Sequence, residues 1–593
     1  MRFFTTLLAS LAGTLLAFAL AFFFGFLFLL ALAASADTTP SVRSGSVLVV
    51  ELSGAIPEQV SGDPFAQAIG GEPAYDLYGL TRAFEKAAAD SRIEGVWLKL
   101  RGVTAPWATL QEIRHALGGV REAGKLVVAS SDDFPMREVE YFVATAADSV
   151  FAAPESFFEF NGFYLEVLFY NQLLEKLDVE AQIVRAGTFK SAVEPFFRDD
   201  LSPENEEQLA ALLASQNAVF LEAVGTRRGI TPEAVRRFLD DEALITSDAA
   251  YAAGLLDGLR FEDEVEALFK SHLGLDPDDD LRTVSARSYV RVPDREAGLE
   301  VGSEEIAVVY AAGTIMPGES LSGVVGSETF NAAMEDARED DDVRAVVLRI
   351  NSPGGSASAS EAMWREIALT SEAKPVIVSM GDYAASGGYW IATAADHLLA
   401  DPTTITGSIG VFSLFFDLGE FFSGTLGITH DNVRTGPYAD MFSGLRSLSE
   451  PERALLQRST DETYARFLAK VAKSRGLSVA AVDSVGQGRV WTGQQALDLG
   501  LIDGLGTLHD AVAFAAAEAG LEEGDYRVRT LPVPKTFLDE LNDALAVQAA
   551  AVWQRAALTS TEQALLRHAR TLDDLLRMQG TVQARLPMQW RVR

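Results

Sequence analysis

The sequence predicts an α/β protein built from two tandem copies of one domain, with a transmembrane helix before them and a helical extension after them. Three observations support this prediction. The chain opens on a long uncharged segment, four pairs of similar segments recur at an offset of about 250 residues, and short apolar runs alternate with helical patterns. The length of 593 residues also exceeds the size at which one hydrophobic core usually stops growing, so at least two domains are expected.

Residues 1–36 are predicted to be an N-terminal transmembrane anchor. No charged residue occurs from Phe3 to Ala34, and the run is rich in Leu, Phe and Ala. A spanning helix needs about 20 apolar residues, whereas the core of a signal peptide has about 7–15. The length therefore favours a retained anchor, although residues 33–36 also resemble a cleavage site. Arg2 precedes the run, so the positive-inside rule predicts a cytoplasmic N-terminus and export of the rest.

The two copies are predicted to span residues 37–298 and 299–533. The clearest repeated segment is Tyr141–Asp148, which matches Tyr389–Asp396. The other pairs are Val47–Pro57 with Ile306–Pro317, Ile93–Leu100 with Val343–Ile350, and Gly254–Leu259 with Gly500–Leu505. Because the offset stays nearly constant, these pairs indicate a duplication. The acidic and polar stretch from Asp276 to about Glu300 is interpreted as the linker between the copies.

Each copy is predicted to contain a mostly parallel sheet. Apolar runs such as Ala345–Ile350 and Val376–Met380 predict buried strands, whereas Glu361–Leu369 and Glu450–Ala472 have helical periodicity. Strands separated by helices are typical of βαβ units. Residues 534–593 carry Ala, Leu, Gln and Arg at helical spacing and end in a basic segment, so they are predicted to form a helical extension for packing or assembly.

The composition excludes several classes of function. A net charge of −35 at pH 7 argues against a nucleic acid partner, because binding to phosphates needs Lys and Arg. The chain has no cysteine, which excludes disulfides, thiolate metal ligands and a cysteine nucleophile. Its six histidines are scattered, with no two at the spacing of metal ligands. We therefore expect neither a metal site nor a cofactor.

A glycine turn in the second copy is a candidate oxyanion hole. The strand that ends at Ile350 runs into Asn351–Ser356, which contains Gly354 and Gly355, and a helical pattern follows. Glycine at such a turn lets backbone N–H groups approach an anion, and each donor in an oxyanion hole contributes a few kcal/mol. The alternative interpretation is a tight turn that merely needs glycine.

Ser386 is the candidate nucleophile. It lies in Met380–Trp390, where a predicted strand ends, small residues follow and a helix begins. Small neighbours give a bulky acyl group access to the hydroxyl, and a helix N-terminus stabilises developing negative charge. A serine that only caps the helix is the alternative.

Lys190 is the candidate base, since no histidine is obviously placed for that role. Its neighbours Gly187, Phe189, Ala192 and Val193 make a less polar setting than most lysines of this chain have. Burial lowers the pKa of an amine, and a neutral amine can accept the proton of a serine. A solvated surface charge is the alternative for any lone lysine.

Comparison of the two copies indicates that Ser386 and Lys190 belong to one site. The position of Ser386 corresponds to Glu138 in the first copy, and that of Lys190 corresponds to Ala439 in the second. The positions of Gly354 and Gly355 correspond to Thr104 and Ala105. Each copy thus lacks what the other keeps, which predicts one shared Ser–Lys site. The lysine nitrogen should then lie about 2.6–3.2 Å from the serine oxygen.

Four segments together resemble the signal peptide peptidase A family in its long, tandem-domain bacterial form. They are Gly187–Ala192, Asn351–Ser356, Ala385–Tyr389 and Thr406–Gly410. The resemblance runs from the anchor to about residue 530 and implies a ClpP/crotonase-like fold in each copy. It implies that Ser386 is the nucleophile and Lys190 the general base and acid. It also implies that Gly354 or Gly355, with the N–H around Gly387, binds the oxyanion. Ser408 would hydrogen-bond the lysine, or else serve only as a turn serine.

The same resemblance implies a membrane-anchored serine endopeptidase with a Ser–Lys dyad. Family members of this form are bowl-like homotetramers with inward-facing sites, anchored in the inner membrane. They degrade cleaved signal peptides and other hydrophobic peptides on the periplasmic side through an acyl-enzyme. Two alternatives stay open: an acyl-CoA enzyme of the crotonase type, and an inactive membrane scaffold.

Overall fold

The structure, a computed structural model, describes residues 40–60, 75–132, 135–241, 244–533 and 583–585, together with positions 13, 14, 16, 20 and 23–25. The predicted C-terminal helical extension lies outside the described residues except for residues 583–585, and these three form a strand instead of the predicted helix. Most of the predicted anchor also lies outside them. Those anchor positions that are described are helical, and their apolar side chains Leu16, Leu20, Phe23 and Phe24 are exposed.

The first copy alternates strands and helices in the order that the sequence predicts. Its strands are β1 Ser46–Gly54, β2 Ile93–Val103, β3 Leu126–Ser131, β4 Met136–Arg137, β5 Ser149–Ala152, β6 Phe157–Glu159, β7 Glu180–Ala186, β8 Leu244–Thr246, β9 Gly258–Leu259 and β10 Thr283–Ser285. Its helices are α1 Leu77–Ala89, α2 Trp107–Glu122, α3 Glu138–Ala144, α4 Asn171–Lys176, α5 Pro203–Arg228, α6 Pro232–Asp241, α7 Ser247–Ala252, α8 Glu262–His272 and α9 Ala286–Tyr289, with a 3₁₀ helix over Ser191–Phe196.

The second copy continues the alternation. Its strands are β11 Glu304–Ala312, β12 Thr314–Met316, β13 Val324–Gly326, β14 Val343–Ser352, β15 Gly354–Ser356, β16 Val376–Ala385, β17 His397–Ala400, β18 Ile405–Gly407, β19 Val411–Asp417, β20 Val490–Thr492, β21 Gly504–Leu505 and β22 Tyr526–Leu531. Its helices are α10 Ser327–Glu339, α11 Ala357–Ser371, α12 Gly387–Ala392, α13 Glu450–Arg475, α14 Val479–Val485, α15 Gly493–Asp498 and α16 Leu508–Glu518, with a π-helical turn over Phe421–Thr425. A further strand, β23, spans Gln583–Arg585.

The duplication is visible in the order of the strands. The first sheet runs β10-β1-β2-β3-β5-β9, and the second contains the matching path β22-β11-β14-β16-β17-β21. All neighbours along both paths are parallel. The small sheet β4-β6-β8 of the first copy likewise corresponds to the end of β16 with β18 and β20. The predicted parallel α/β architecture and the predicted duplication are therefore confirmed.

One buried hydrogen bond occurs at equivalent positions in both copies. The hydroxyl of Tyr141 donates to the carbonyl of Leu255 at 2.6 Å, and the hydroxyl of Tyr389 donates to that of Leu501 at 2.6 Å. Both tyrosines are fully buried. The alignment of Tyr141 with Tyr389, on which the comparison of the copies depends, thus holds in three dimensions.

One sequence interpretation is wrong. The stretch from Asp276 to about Glu300 was expected to be a linker, but β10 pairs with β1 within it and completes the first sheet. Tyr289 of the following α9 is fully buried and donates a hydrogen bond to Asp90 at 2.9 Å. The local composition is polar because this strand is short and lies at the edge of the sheet, where a polar sequence is tolerated.

The copies are interlocked. Strand β7 of the first copy pairs antiparallel with β19 of the second along its whole length. Helix α5 then joins the two cores, because Leu209 packs with Ile405 and Val490 whereas Phe220 packs in the aromatic core of the first copy. Among the described residues, α5 is the one helix that is long and apolar enough to cross a membrane, judged by length and composition alone. Of its most apolar 18-residue stretch, 39% is buried within the protein.

A buried group of charges also links the copies. Arg349 on β14 is fully buried and donates two hydrogen bonds to Glu58, each 2.9 Å long, and one of 2.6 Å to Glu112. Asp382 on β16 accepts hydrogen bonds from the backbone N–H and the hydroxyl of Thr109 at 3.0 and 2.9 Å. Burial raises the pKa of Glu112 and of Asp382. Strand β16, which ends directly before Ser386, is therefore fixed against the first copy.

Candidate active site

Lys190 reaches the second copy because of the strand that precedes it. Strand β7 ends at Ala186, a short loop follows, and a 3₁₀ helix begins at Ser191. Since β7 lies beside β19, this loop enters the second copy at the start of β19, next to Ser408 and Gly410. The first copy thus supplies the lysine to the edge of the sheet where Ser386 lies.

Glycines make room for the lysine loop. A β-carbon on Gly488 would lie 2.6 Å from both the Cβ and the backbone nitrogen of Lys190. A β-carbon on Gly187 would lie 2.5 Å from the carbonyl carbon of Gln487, and one on Gly410 would lie 2.8 Å from the Cα of Gly488. Real Cβ contacts are not this short, so three backbone segments close around the lysine only because these positions lack side chains.

The Lys190 side chain ends among neutral oxygens. Its Nζ lies 2.7 Å from Ser386 Oγ, 3.0 Å from Ser408 Oγ and 3.1 Å from the carbonyl oxygen of Ser408. The lysine is fully buried, and burial holds its pKa well below the usual value. A lowered pKa favours the neutral form of the amine, and that form can accept a proton.

Ser386 lies at the turn between β16 and α12 in a strained conformation. Its φ is 57° and its ψ is −114°, a region that non-glycine residues rarely adopt. The backbone holds it there, since its N–H donates to the carbonyl of Gly407 at 2.8 Å and its carbonyl accepts from Trp390 at 2.7 Å. Strain of this kind costs about 1–3 kcal/mol and is concentrated at functional sites. The turn directs the hydroxyl toward the lysine loop.

Ser408 lies at the second such turn. Its φ is 51°, and its N–H donates to the carbonyl of Arg489 at 2.8 Å. This conformation presents both its carbonyl and its hydroxyl to Lys190. The hydrogen bond that the resemblance implies between Ser408 and the lysine is therefore present.

The candidate oxyanion glycines lie on two elements that flank Ser386. Gly354 has a φ of 94°, which a side chain would disfavour, and its N–H donates to Ser352 Oγ at 3.1 Å. A β-carbon on Gly355 would lie 2.0 Å from the carbonyl oxygen of Ile315, so this glycine is also required by the packing of β15 on β12. Gly387 is the first residue of α12, where backbone N–H groups have no partner within the helix.

The matching positions of the other copy have a different environment. Glu138 is the first residue of α3, whereas Ser386 lies directly before α12. The carboxylate of Glu138 accepts hydrogen bonds from the backbone N–H groups of Asn161 and Gly162, each 2.8 Å long. Burial raises the pKa of Glu138. Ala439 lies exposed in an irregular segment, so its correspondence to Lys190 is one of sequence and not of backbone structure.

Sequence reasoning missed three residues that position the lysine. Besides Gly488, Gln487 accepts the N–H of Phe189 on its carbonyl at 2.8 Å. Gln208 on α5 is buried, and its side-chain amide donates a hydrogen bond to Ser191 Oγ at 2.9 Å. Its side-chain oxygen Oε1 accepts a hydrogen bond from the backbone N–H of Val490. The Gly-Gln-Gly sequence at 486–488 was an available signal of a tight turn, but nothing in it indicated proximity to Lys190.

Comparison with known proteins identifies the family of this chain. Residues 120–276 and 368–522 each match peptidase family S49. The chain is 36% identical to Protease 4 of Salmonella typhi over 83% of its own length and 78% of that protein. It is 34% identical to the chloroplastic serine protease SPPA of Arabidopsis thaliana, covering 81% and 70%, and 35% identical to Protease 4 of Haemophilus influenzae, covering 72% and 71%. The two matched ranges fall one in each copy of the duplication. The chain therefore belongs to peptidase family S49 and is a serine endopeptidase.

Proposed function

We propose that Ser386 and Lys190 form the catalytic dyad of this peptidase. The observation that carries the proposal is the 2.7 Å contact between Lys190 Nζ and Ser386 Oγ in a fully buried setting that lowers the pKa of the lysine. A neutral amine at hydrogen-bond distance from a hydroxyl can take its proton without a histidine. Ser408 holds the amine in place and is a positioning residue.

The reaction then follows from the geometry. Ser386 Oγ bonds to the scissile carbonyl carbon while its proton passes to Lys190 Nζ. The C–N bond of the tetrahedral intermediate breaks, and the leaving amine takes the proton from Nζ. Water attacks the acyl-enzyme ester, its proton passes to Nζ, and the proton returns to Ser386 Oγ as the acid leaves.

The oxyanion of the intermediate is proposed to bind backbone N–H groups at Gly387 and at Gly354 or Gly355. Gly387 begins a helix, so its N–H is free of an intrahelical bond. The N–H of Gly354 donates to Ser352 Oγ at 3.1 Å, and Gly355 lies in β15, which pairs with β12 and β23. Each such donor contributes a few kcal/mol to the stability of the transition state.

The substrate class, location and assembly are carried over as proposals from the family resemblance. The peptidase is proposed to degrade cleaved signal peptides and other hydrophobic peptides on the periplasmic side of the inner membrane. Residues 1–36 would anchor it, in agreement with the exposed apolar side chains at the described helical positions of that segment. A bowl-like homotetramer is proposed for the assembly.

The division of the chain into domains is also a proposal. Residues 37–298 and 299–533 are proposed as two ClpP/crotonase-like copies, the first supplying Lys190 and the second Ser386. The matching strand orders of the two main sheets support this division. Residues 534–593 are proposed as a C-terminal extension.

The test is hydrolysis of a fluorogenic hydrophobic peptide by the purified variants Ser386→Ala and Lys190→Met. Each should lose activity by about a thousandfold or more while keeping its far-UV circular dichroism, because a dyad acts as one unit. The exposed Lys176 provides the control Lys176→Met, which should behave as the wild type. An active-site serine reagent should label the wild type at Ser386 and not label Ser386→Ala. Full activity in either dyad variant would refute the assignment.

A further inference from the structure

Strand β16 contains a bulge shortly before the nucleophile. Its pairing with β14 is regular up to Ile350 with Met380, and the next pair is Ser352 with Ala384. Between these pairs, one residue of β14 lies opposite three residues of β16. The two extra residues correspond to about 6–7 Å of strand. The bulge therefore decides how far along the sheet Ser386 lies.

The one residue opposite the bulge is Asn351, and its side chain bonds two of the three residues across from it. Its Oδ1 accepts the N–H of Tyr383 at 3.1 Å, and its Nδ2 donates to Asp382 at 3.0 Å. The same Nδ2 donates to Glu58 of the first copy at 2.9 Å. A side-chain amide offers an acceptor and two donors, so asparagine makes all three hydrogen bonds at once.

The backbone of the bulge is held from the other side as well. The carbonyl of Gly381 accepts the hydroxyl of Thr404 at 2.7 Å, and that of Ala384 accepts the hydroxyl of Thr406 at 2.7 Å. A β-carbon on Gly381 would lie 2.8 Å from Oε1 of Glu58, so this position needs glycine where the bulge meets the first copy. Since unpaired buried backbone groups cost free energy, these hydrogen bonds favour one conformation of the bulge.

The corresponding position of the first copy holds Arg101, which directly follows the repeated segment Ile93–Leu100. There β2 and β3 keep one register up to the pair Lys99 with Ser130. Arg101 is partly exposed and donates to Glu262 at 3.1 Å. The amide thus occurs in the copy that carries the nucleophile, and a surface cation replaces it in the copy that lacks one.

We propose that Asn351 is a positioning residue of the peptidase, which sets the distance between Ser386 and the glycine turn at Gly354 and Gly355 by holding the bulge of β16. This inference rests on the proposed Ser386–Lys190 site. Strand β14, which carries Asn351, leads into the glycine turn, and β16 leads into Ser386. One amide therefore joins the strand before the oxyanion donors to the strand before the nucleophile. It acts through these two elements and not on the reacting atoms.

Asn351→Ala tests the proposal in the full-length protein. Because Ser386 and the oxyanion donors would move apart, kcat for a fluorogenic hydrophobic peptide should fall about a hundredfold, with KM changed by less than about threefold. Labelling of Ser386 by a fluorophosphonate should slow by a similar factor, since it needs the same geometry. The matched control Arg101→Ala changes the equivalent position of the first copy and should keep kcat and KM.

A second control separates positioning from stability. Tyr289→Phe removes the buried hydrogen bond to Asp90 beside the edge strand of the first sheet. It should lower the midpoint of urea unfolding and leave kcat unchanged. A loss of kcat in Tyr289→Phe as large as that in Asn351→Ala would overturn the proposal.

Asn351→Asp covers the case in which Asn351→Ala does not fold. The new side chain has the same size but at most one donor, so it cannot bond both Glu58 and Asp382, and kcat should fall by at least about tenfold. Wild-type kcat in Asn351→Asp would overturn the proposal. Labelling of the wild type separates this failure from that of the dyad. A wild type labelled at Ser386 beside unaltered variants refutes only the role of Asn351, whereas an active wild type that is not labelled at Ser386 refutes the dyad.

Discussion

Gly488 lies directly against Lys190, at a distance where a β-carbon would come within 2.6 Å of the lysine's own Cβ. Its N–H donates to the carbonyl of Ile409 at 2.7 Å, which fixes it to the turn that carries Ser408. Gly488 thus packs against the backbone and Cβ of Lys190, while Ser386 and Ser408 hydrogen-bond its amine. This explains how a lysine from the first copy keeps one position inside the second.

Gly488→Ala should therefore reduce catalysis by moving Lys190. We expect kcat/KM to fall about a hundredfold, since displacement of a catalytic group by about 1 Å has effects of this size. The control is Gly476→Ala, which has a similar positive φ (64° against 80°) but open space around the added carbon. Both variants carry the backbone strain, so equal activities in the two would contradict the packing argument.

The rate should depend on pH through Lys190. Burial lowers the pKa of this amine, and the neutral form is the proposed base, so kcat/KM should rise with pH through that lowered pKa and then level off. Ser408→Ala removes an oxygen that accepts a hydrogen bond from Nζ, which weakens the protonated form. Its profile should shift to lower pH. A pH–rate profile identical to that of the wild type would exclude this role for Ser408.

Lys190 should also lower the stability of the fold. A lysine whose pKa is depressed in the folded state binds fewer protons there than in the unfolded chain, between the folded pKa and the usual 10.5. Stability is then lost as pH falls through that window. Lys190→Met should unfold at higher urea concentration than the wild type at neutral pH, with a difference that shrinks as pH approaches 10.5. The inactive variant would thus be the more stable one.

Arg349 should be required for stability. Its removal in Arg349→Met leaves the buried carboxylates of Glu58 and Glu112 without their cation, which typically costs about 3–5 kcal/mol. The control Arg344→Met breaks an exposed pair with Glu304 on a neighbouring strand, where about 0–1 kcal/mol is expected. Urea denaturation measures both. A loss at Arg349 no larger than at Arg344 would show that the cluster does not join the copies.

Asp401 should make the fold less stable as pH rises. Burial raises its pKa from 3.8 to about 7, so the folded state holds a proton that the unfolded chain has lost between these values. Stability is full below the unfolded pKa and is lost as pH rises toward about 7. Asp401→Asn has no such proton, so the stability of the wild type relative to this variant should fall across that window. Parallel pH curves for the two proteins would contradict the shift.

Much of the fold follows from the sequence because its signals are local. The apolar runs over Ala345–Ile350 and Val376–Met380 lie within β14 and β16, and the periodic segments at 361–369 and 450–472 lie within α11 and α13. The repeat offset predicted two related sheets, and the strand orders agree. The interpretation of residues 276–300 as a linker failed because an edge strand of three residues leaves little apolar pattern.

The sequence by itself determined the duplication and named Ser386 and Lys190 as complementary candidates, whose catalytic roles stay predictions. Tertiary structure decided that residues 196 apart meet at 2.7 Å, because the antiparallel pairing of β7 with β19 is a contact between distant segments. It also decided which glycine supports the lysine and where the tail strand lies. Such pairings depend on shape and backbone hydrogen bonding across the assembled sheets, and no local pattern of residues encodes them.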